Sequence, residues 1–191
     1  MLFRSNATLA ARAKVMRLHG MSRDAFDRFT ATVPSWYYEI VAPGFKYNLT
    51  DIAASLGLQQ LKKARHFQVR RAEIAAQYDA ALNGLPLVLA PKPQAGDLHS
   101  WHLYAVRLKD GVAIDRNAFV EQLHAAGIGC SVHYIPLHLQ PYWRERYALR
   151  NESYPHSQHA YERIVSLPIY SRMTSGDVQR VAEAAGRALR G

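Results

Sequence analysis

The sequence predicts an α/β fold, and three observations carry the prediction. Residues 100–108 (Ser100-Trp101-His102-Leu103-Tyr104-Ala105-Val106-Arg107-Leu108) alternate in character like a half-buried strand. Residues 116–126 put Phe119, Val120 and Leu123 at helical spacing before Gly127, and residues 128–134 follow as a second strand. A last helix starts at Thr174-Ser175-Gly176-Asp177-Val178 and carries Val178, Val181, Ala182, Ala185 and Leu189 on one face. Strand, helix, strand and helix in that order make a small α/β domain, its sheet antiparallel or mixed and its helices on one face.

Taken from the start, residues 1–20 carry Arg4, Arg12, Lys14 and Arg17 and no acid, which is also the flavour of a transit peptide. Leu9, Ala13, Val15, Met16 and Leu18 alternate with the basic positions, and this favours a helix with Gly20 as its C-cap. Residues 22–43 are irregular, with Trp36-Tyr37-Tyr38 set among prolines as a lid, an interface or a cover for the next helix. Pro43 and Gly44 break the chain, and Thr50 or Asn48 can cap a new helix with Asp51 in its first turn.

That helix is expected over residues 51–82, roughly 45 Å long. Its apolar face is Ile52, Leu56, Leu61, Ala64, Phe67, Ile74, Tyr78 and Leu82; its polar face is Gln59, Lys62, Lys63, Gln68, Arg70 and Glu73. Gly57 in its interior predicts a close backbone approach there. Asn83-Gly84 ends the helix, and residues 85–97, with Pro86, Pro91, Pro93 and Gly96, read as a connector. Residues 135–147 read as a loop of histidine, proline and aromatics, residues 161–165 as a short helix, and Leu167-Pro168-Ile169 as a buried connection. The division that follows is residues 1–50, residues 51–82 as a helix between domains, and residues 83–191 as a small α/β domain.

The chain has 191 residues and a formal charge of +9, which draws attention to polyanions: nucleic acid, acidic membrane or phosphorylated metabolites. The basic residues are dispersed, the longest runs being the pairs Lys62-Lys63 and Arg70-Arg71, so a phosphorylated small molecule competes with nucleic acid as the partner. No apolar run reaches the ~18–20 residues of a membrane span. A lone cysteine, Cys130, rules out an internal disulfide and fits a reducing compartment, the cytoplasm. Among nine histidines, His133 and His138 stand five apart and His156 and His159 three apart, neither with the spacing or the carboxylate of a zinc hydrolase. No metal site is expected.

Two stretches carry a resemblance. Gly44-Phe45-Lys46-Tyr47-Asn48-Leu49-Thr50-Asp51-Ile52-Ala53-Ala54-Ser55-Leu56-Gly57, followed by Gln60-Leu61, is similar to the corresponding segment of the DegT/DnrJ/StrS-type sugar aminotransferases. Ile128-Gly129-Cys130-Ser131-Val132-His133-Tyr134-Ile135-Pro136-Leu137-His138 resembles their G-I-x-x-x-x-H-Y-x-P-L-H segment, and residues 9–21 resemble the helix leading to their R-L-H-G turn. Within that family the nearest likeness is to the UDP-4-amino-4-deoxy-L-arabinose aminotransferases.

The resemblance implies the C-terminal portion of a fold-type-I transferase that uses pyridoxal phosphate (PLP). Residues 1–50 would be a remnant of the large cofactor-binding domain, with Met1-Leu2-Phe3 on a strand that follows the Schiff-base lysine. It implies transfer of an amino group, usually from glutamate, to a nucleotide-linked ketosugar for polysaccharide or lipid decoration. Asn48 would reach across a homodimer interface to the neighbour's PLP phosphate, bordered by Lys46 and Tyr47, while His133 and Tyr134 would offer donors to diphosphate or sugar oxygens. Cys130 and Ser131 would be packing residues.

The family's lysine, its pyridinium carboxylate and its phosphate cup all precede the region matched here. Lys14, Lys46, Lys62, Lys63, Lys92 and Lys109 lack the H-x-x-K context, so no catalytic residue is assigned. The chain alone is then expected to be inactive, a truncated or split-gene subunit that acts with an N-terminal half. The remaining rival is a basic nucleic-acid binder.

Overall fold

The computed structural model describes residues 6–22 and 38–190. Met1, Leu2, Phe3, Trp36 and Tyr37, and most of the 22–43 stretch, lie outside the described residues. The chain divides into two compact units, Met1–Lys62 and Lys63–Gly191.

In the first unit, α1 (Ala7–Met16) is shorter than expected. Asn6 caps it, its side-chain oxygen accepting the Leu9 N–H at 2.9 Å, and Arg17 rather than Gly20 is the C-cap. The chain then turns left-handed through His19 (φ 55°) and Gly20 (φ 71°). A side chain at Gly20 would run into the Ala42 carbonyl, so glycine is required twice over, by conformation and by contact. Residues 39–47 run antiparallel beside residues 16–22. Phe45 N–H donates to Met16 O (2.7 Å), Tyr47 N–H to Arg17 O (2.8 Å), Val41 N–H to Gly20 O (2.9 Å) and Ser22 N–H to Glu39 O (2.8 Å). Main-chain bonds hold this unit; among its described residues only Gly20 and Ala42 are buried.

Helix α2 (Asp51–Ala81) straddles the boundary between the units. Its expected stripe is buried only towards the C-terminal end, at Ile74 and Tyr78, with Leu82 just beyond, and Ala75 is buried beside it. The expectation at Gly57 is overturned: a Cβ there meets no described atom within 4 Å, and the glycine sits on an open helix surface.

The core belongs to the second unit. Strands β1 (Leu87–Val88), β2 (Tyr104–Leu108) and β3 (Ile164–Leu167) form an antiparallel sheet in the order β1-β2-β3. Tyr104 pairs with Leu167, Ala105 with Ser166 and Val106 with Val165. One face therefore presents Tyr104, Val106, Leu108, Val165 and Leu167. These pack with Ile74, Tyr78 and Leu82, with Phe119 and Leu123 of α3 (Arg116–Ala125), and with the apolar face of α6 (Ser175–Ala188).

Side-chain polar groups pin the core. Tyr78 Oη donates to Pro168 O at 2.8 Å and Tyr104 Oη to an Asp79 carboxylate oxygen at 2.7 Å, the two rings stacking at 4.8 Å. Burial, first of all, pushes both phenols far above the ordinary tyrosine range. Thr174 caps α6 in a reciprocal box with Asp177, whose carboxyl is held low by the Thr174 backbone N–H and hydroxyl.

Four expected elements are corrected. Residues 128–134 do not form a strand; only Ser131 bridges to the sheet, opposite Ser166. The strand that completes the sheet is β3, where a short helix was expected over 161–165; the helix is α5 (Pro155–Tyr161), opening with proline at its first turn. Glycines at 127 and 129 weaken the first segment as a strand, whereas the run Ile164-Val165-Ser166-Leu167 suits a pleated surface and is too short for its period to reveal it. The third correction is in the 135–147 loop, which contains a 3-10 turn, Leu137–Leu139, and α4 (Pro141–Tyr147). The 85–97 connector likewise supplies β1.

Candidate functional site

The first group of expected site residues lies on the turn into α2. Thr50 is the cap: its Oγ1 accepts the Ala53 N–H at 3.3 Å and its carbonyl the Ala54 N–H at 2.8 Å. That assignment removes Asn48 from the capping role. Its side chain is exposed and has no hydrogen-bond partner among the described residues, and the Asp51 and Ile52 N–H groups likewise have no acceptor there. Lys46 bridges Leu18 through its main chain, so its side chain is free to face solvent. Tyr47 is exposed and stacks on Phe45 with centroids 5.1 Å apart.

A primary amide, an ammonium and two helix-start N–H groups within seven residues are the donor chemistry a phosphate needs. The Asp51 carboxylate is the one group there that opposes it. The donors fit the phosphate end of PLP. Schiff-base chemistry is a separate matter, and all six lysines are exposed side chains.

The second group is on residues 128–138, in the other unit. Gly127 (φ 72°) turns the chain out of α3, and Ile128 is buried while its N–H closes on Leu123 O at 2.9 Å. Ser131 and Ser166 then exchange two main-chain bonds, Ser166 N–H to Ser131 O at 2.8 Å and Ser131 N–H to Ser166 O at 3.2 Å. His133, half-buried, sets Nδ1 2.9 Å from Ser166 Oγ, and Tyr134 stands 75% exposed, edge-on to the His133 ring at 4.8 Å.

An open groove of about 350 Å³ runs past His102, Cys130, Ser131, His133, Ser166 and Ile169. Cys130 is half-buried in it, its thiol pushed up by burial, whereas Ser131 is exposed and joined to the sheet through its backbone instead of packing.

Ser166 is the residue of this site that the sequence did not single out. The available signal was one hydroxyl inside the apolar run Ile164-Val165-Ser166-Leu167, and it is read correctly only once that run is known to be a strand. His138 is spoken for elsewhere: buried, it bonds Gln158 Oε1 at 3.0 Å and stacks on Tyr154 at 5.0 Å. His159 sits 3.0 Å from Asp110, whose carboxyl is held low by that contact first and by Arg163 after it. Among the described residues no three His, Cys, Asp or Glu side chains converge as a metal site would require.

A larger cavity of about 490 Å³ beside residues 108–117 contains none of the expected site residues. Its charges largely satisfy one another, Arg163 meeting Asp110 at 2.9 Å and Glu162 at 3.3 Å.

The antiparallel sheet covered by helices and the long helix leading to it define the class: an α/β fold shared with PLP-dependent sugar aminotransferases of fold type I. Residues 1–185 match the profile of the DegT/DnrJ/EryC1/StrS aminotransferase family, and the chain belongs to that family.

It is 43% identical over 185 residues to the uncharacterised protein MJ1066 of Methanocaldococcus jannaschii, covering 96% of this chain and 48% of that protein. It is 37% identical over 193 residues to the spore coat polysaccharide biosynthesis protein SpsC of Bacillus subtilis, covering 100% of this chain and 49% of SpsC. Among solved structures, Spr1654 of Streptococcus pneumoniae, described as a sugar aminotransferase and solved in its PMP form, superposes with a TM-score of 0.81 at 30% identity, over 93% of this chain and 44% of that one. Helicobacter pylori PseC, an aminotransferase of pseudoaminic acid biosynthesis, superposes with a TM-score of 0.80 at 26% identity, over 97% of this chain and 47% of that one. The chain thus spans about half the length of the curated relatives it matches. Among the described residues no helix is long and apolar enough to cross a membrane.

Proposed function

We propose that this chain forms the sugar-recognising part of a PLP-dependent aminotransferase that passes an amino group, with glutamate as donor, to a nucleotide-linked ketosugar. The acceptor to try first is a UDP-linked 4-ketopentose, given the likeness of the 44–57 and 128–138 stretches to enzymes of that substrate. Residues 1–50 are then part of the cofactor-binding domain, residues 51–82 the helix between domains and residues 83–191 the small domain. The protein works in the cytoplasm as a homodimer or with an N-terminal half. The observation that carries the reading is the Asn48 amide beside Lys46, without a partner among the described residues: with Thr50 acting as the cap, Asn48 is left for an external acceptor, and family membership supports reading the PLP phosphate of a neighbouring subunit as that acceptor.

When bound, PLP supplies the amino carrier and an electron sink. Asn48 donates to its phosphate, with Lys46 adding charge and Tyr47 walling the approach; His133 and Tyr134 donate to the diphosphate or sugar hydroxyls. None of the six exposed lysines serves as the Schiff-base residue in this reading, so the 191 residues alone bind substrate without turning it over.

The test is spectroscopic and then functional. The purified chain with PLP is expected to show no borohydride-reducible band at about 400–430 nm, the approximate region of a lysine Schiff base; a reducible band would refute the assignment of no catalytic lysine. Combined with a lysine-bearing N-terminal half, it is expected to aminate the UDP-ketosugar at the expense of glutamate. Asn48→Ala should then loosen PLP by about tenfold, as loss of a charge-assisted hydrogen bond does. Tight DNA binding with a steep salt slope, and no competition from UDP-sugar, would instead favour the nucleic-acid reading.

A further inference from the structure

We propose that Ser166 is the positioning residue of the sugar-binding site: its hydroxyl donates to His133 Nδ1 and so fixes the imidazole with its proton on Nε2, the edge offered to substrate oxygen. The inference rests on the reading of His133 as a substrate contact and adds a residue and a protonation state to it.

The argument is an accounting of one buried hydroxyl. Ser166 lies on β3, opposite Ala105 in the register, so its side chain points to the face of the sheet away from Val165 and Leu167. It is only 5% exposed. Among the described residues its Oγ has one partner, His133 Nδ1 at 2.9 Å. A hydroxyl carries one proton, and a buried one is placed on an acceptor. If Nδ1 carried its own proton and donated to Oγ, the serine proton would have no acceptor among the described residues. The serine therefore donates, Nδ1 is the acceptor, and in the neutral ring the remaining proton is on Nε2.

The surroundings make the arrangement specific. The paired main-chain bonds between Ser131 and Ser166 set the register of the incoming segment two residues before His133. Ala105, beside Ser166 on the same face, contributes a methyl group and leaves room for the ring. His133 is half-buried and its Nε2 has no partner among the described residues, so the donor edge is held in one direction at the groove. A donor there suits a diphosphate or sugar-hydroxyl oxygen; the opposite tautomer would present a lone pair and repel a phosphate.

Ring-nitrogen NMR on the full 191-residue chain tests this without turnover. With His133 assigned by its loss in His133→Gln, spectra taken at a pH where imidazoles are neutral should show a pyridine-type Nδ1 and a pyrrole-type Nε2–H. In Ser166→Ala it should relax to the average of both tautomers, and Ser166→Thr, which keeps a hydroxyl, should retain the fixed state. UDP-sugar should perturb Nε2 and leave Nδ1 in place, with affinity about fivefold weaker in Ser166→Ala, the loss of one neutral hydrogen bond's ordering. A wild-type ring that is averaged or protonated at Nδ1 overturns the role of Ser166, and it does so even if Ser166→Ala does not fold. A fixed ring that does not respond to UDP-sugar overturns instead the substrate contact on which the proposal stands.

Discussion

The two ends of helix α2 carry the same kind of side chain and meet opposite fates. Ile52, Leu56 and Leu61 stand 78%, 63% and 72% exposed, while Ile74, Tyr78 and Leu82 are at 0%, 0% and 1%. Both triplets follow helical spacing and neither is more apolar than the other by any margin that would sort them. What differs is the surroundings: the C-terminal end lies against a sheet and two helices, and the N-terminal end meets no comparable wall among the described residues. The comparison separates two sources of stability. One end of the helix is held by burial, and the other by its Thr50 cap and its own hydrogen bonds.

The largest effect should come from contrasting the ends directly. Tyr78→Ala empties a core position and should cost about 3–5 kcal/mol, whereas Leu56→Ala should stay within about 0.5 kcal/mol, both read from urea unfolding of the chain. A large loss for Leu56→Ala would show that the exposed stripe is covered in solution, and the contrast would collapse. Next comes pH. Tyr78 and Tyr104 stay neutral in the fold but ionise near the ordinary value of about 10 when unfolded. Their contribution is therefore complete below about pH 10 and is lost as the pH rises beyond it. Tyr104→Phe should cost about 1 kcal/mol at neutral pH and flatten that alkaline decline; a decline unchanged in the variant would put its origin elsewhere. The smallest effect tests the exposed end. With open space where its Cβ would be, Gly57→Ala should stabilise the helix by about 0.5–1 kcal/mol, visible as added helicity in far-UV circular dichroism. A loss of helicity would mean that a backbone does pack against Gly57.

A similar contrast holds between the two groups of expected site residues. The turn that carries Lys46, Tyr47 and Asn48 is legible in sequence because a turn followed by a cap is a local event: Pro43, Gly44 and Thr50 fix it within a few residues. His133 depends on a strand more than thirty residues further on, and its partner Ser166 was invisible while the 161–165 segment was read as a helix. Four residues give too short a window for periodicity, and pairing energy comes from cross-strand neighbours that no local pattern names.

By itself, the sequence determined the long helix to within a residue of Ala81, the helix closed by Gly127, the capped final helix with its face of Val178, Val181, Ala182 and Ala185, and the family resemblance carried by residues 44–57 and 128–138. These are matters of caps, breakers and 3.6-residue spacing, which act over a few bonds. Only the tertiary structure decided which third strand completes the sheet, which end of α2 is core, that Asn48 is not the cap, and that a buried serine stands behind His133. Each of those depends on which distant surface arrives to cover a side chain or satisfy a proton, and that is settled when the chain packs.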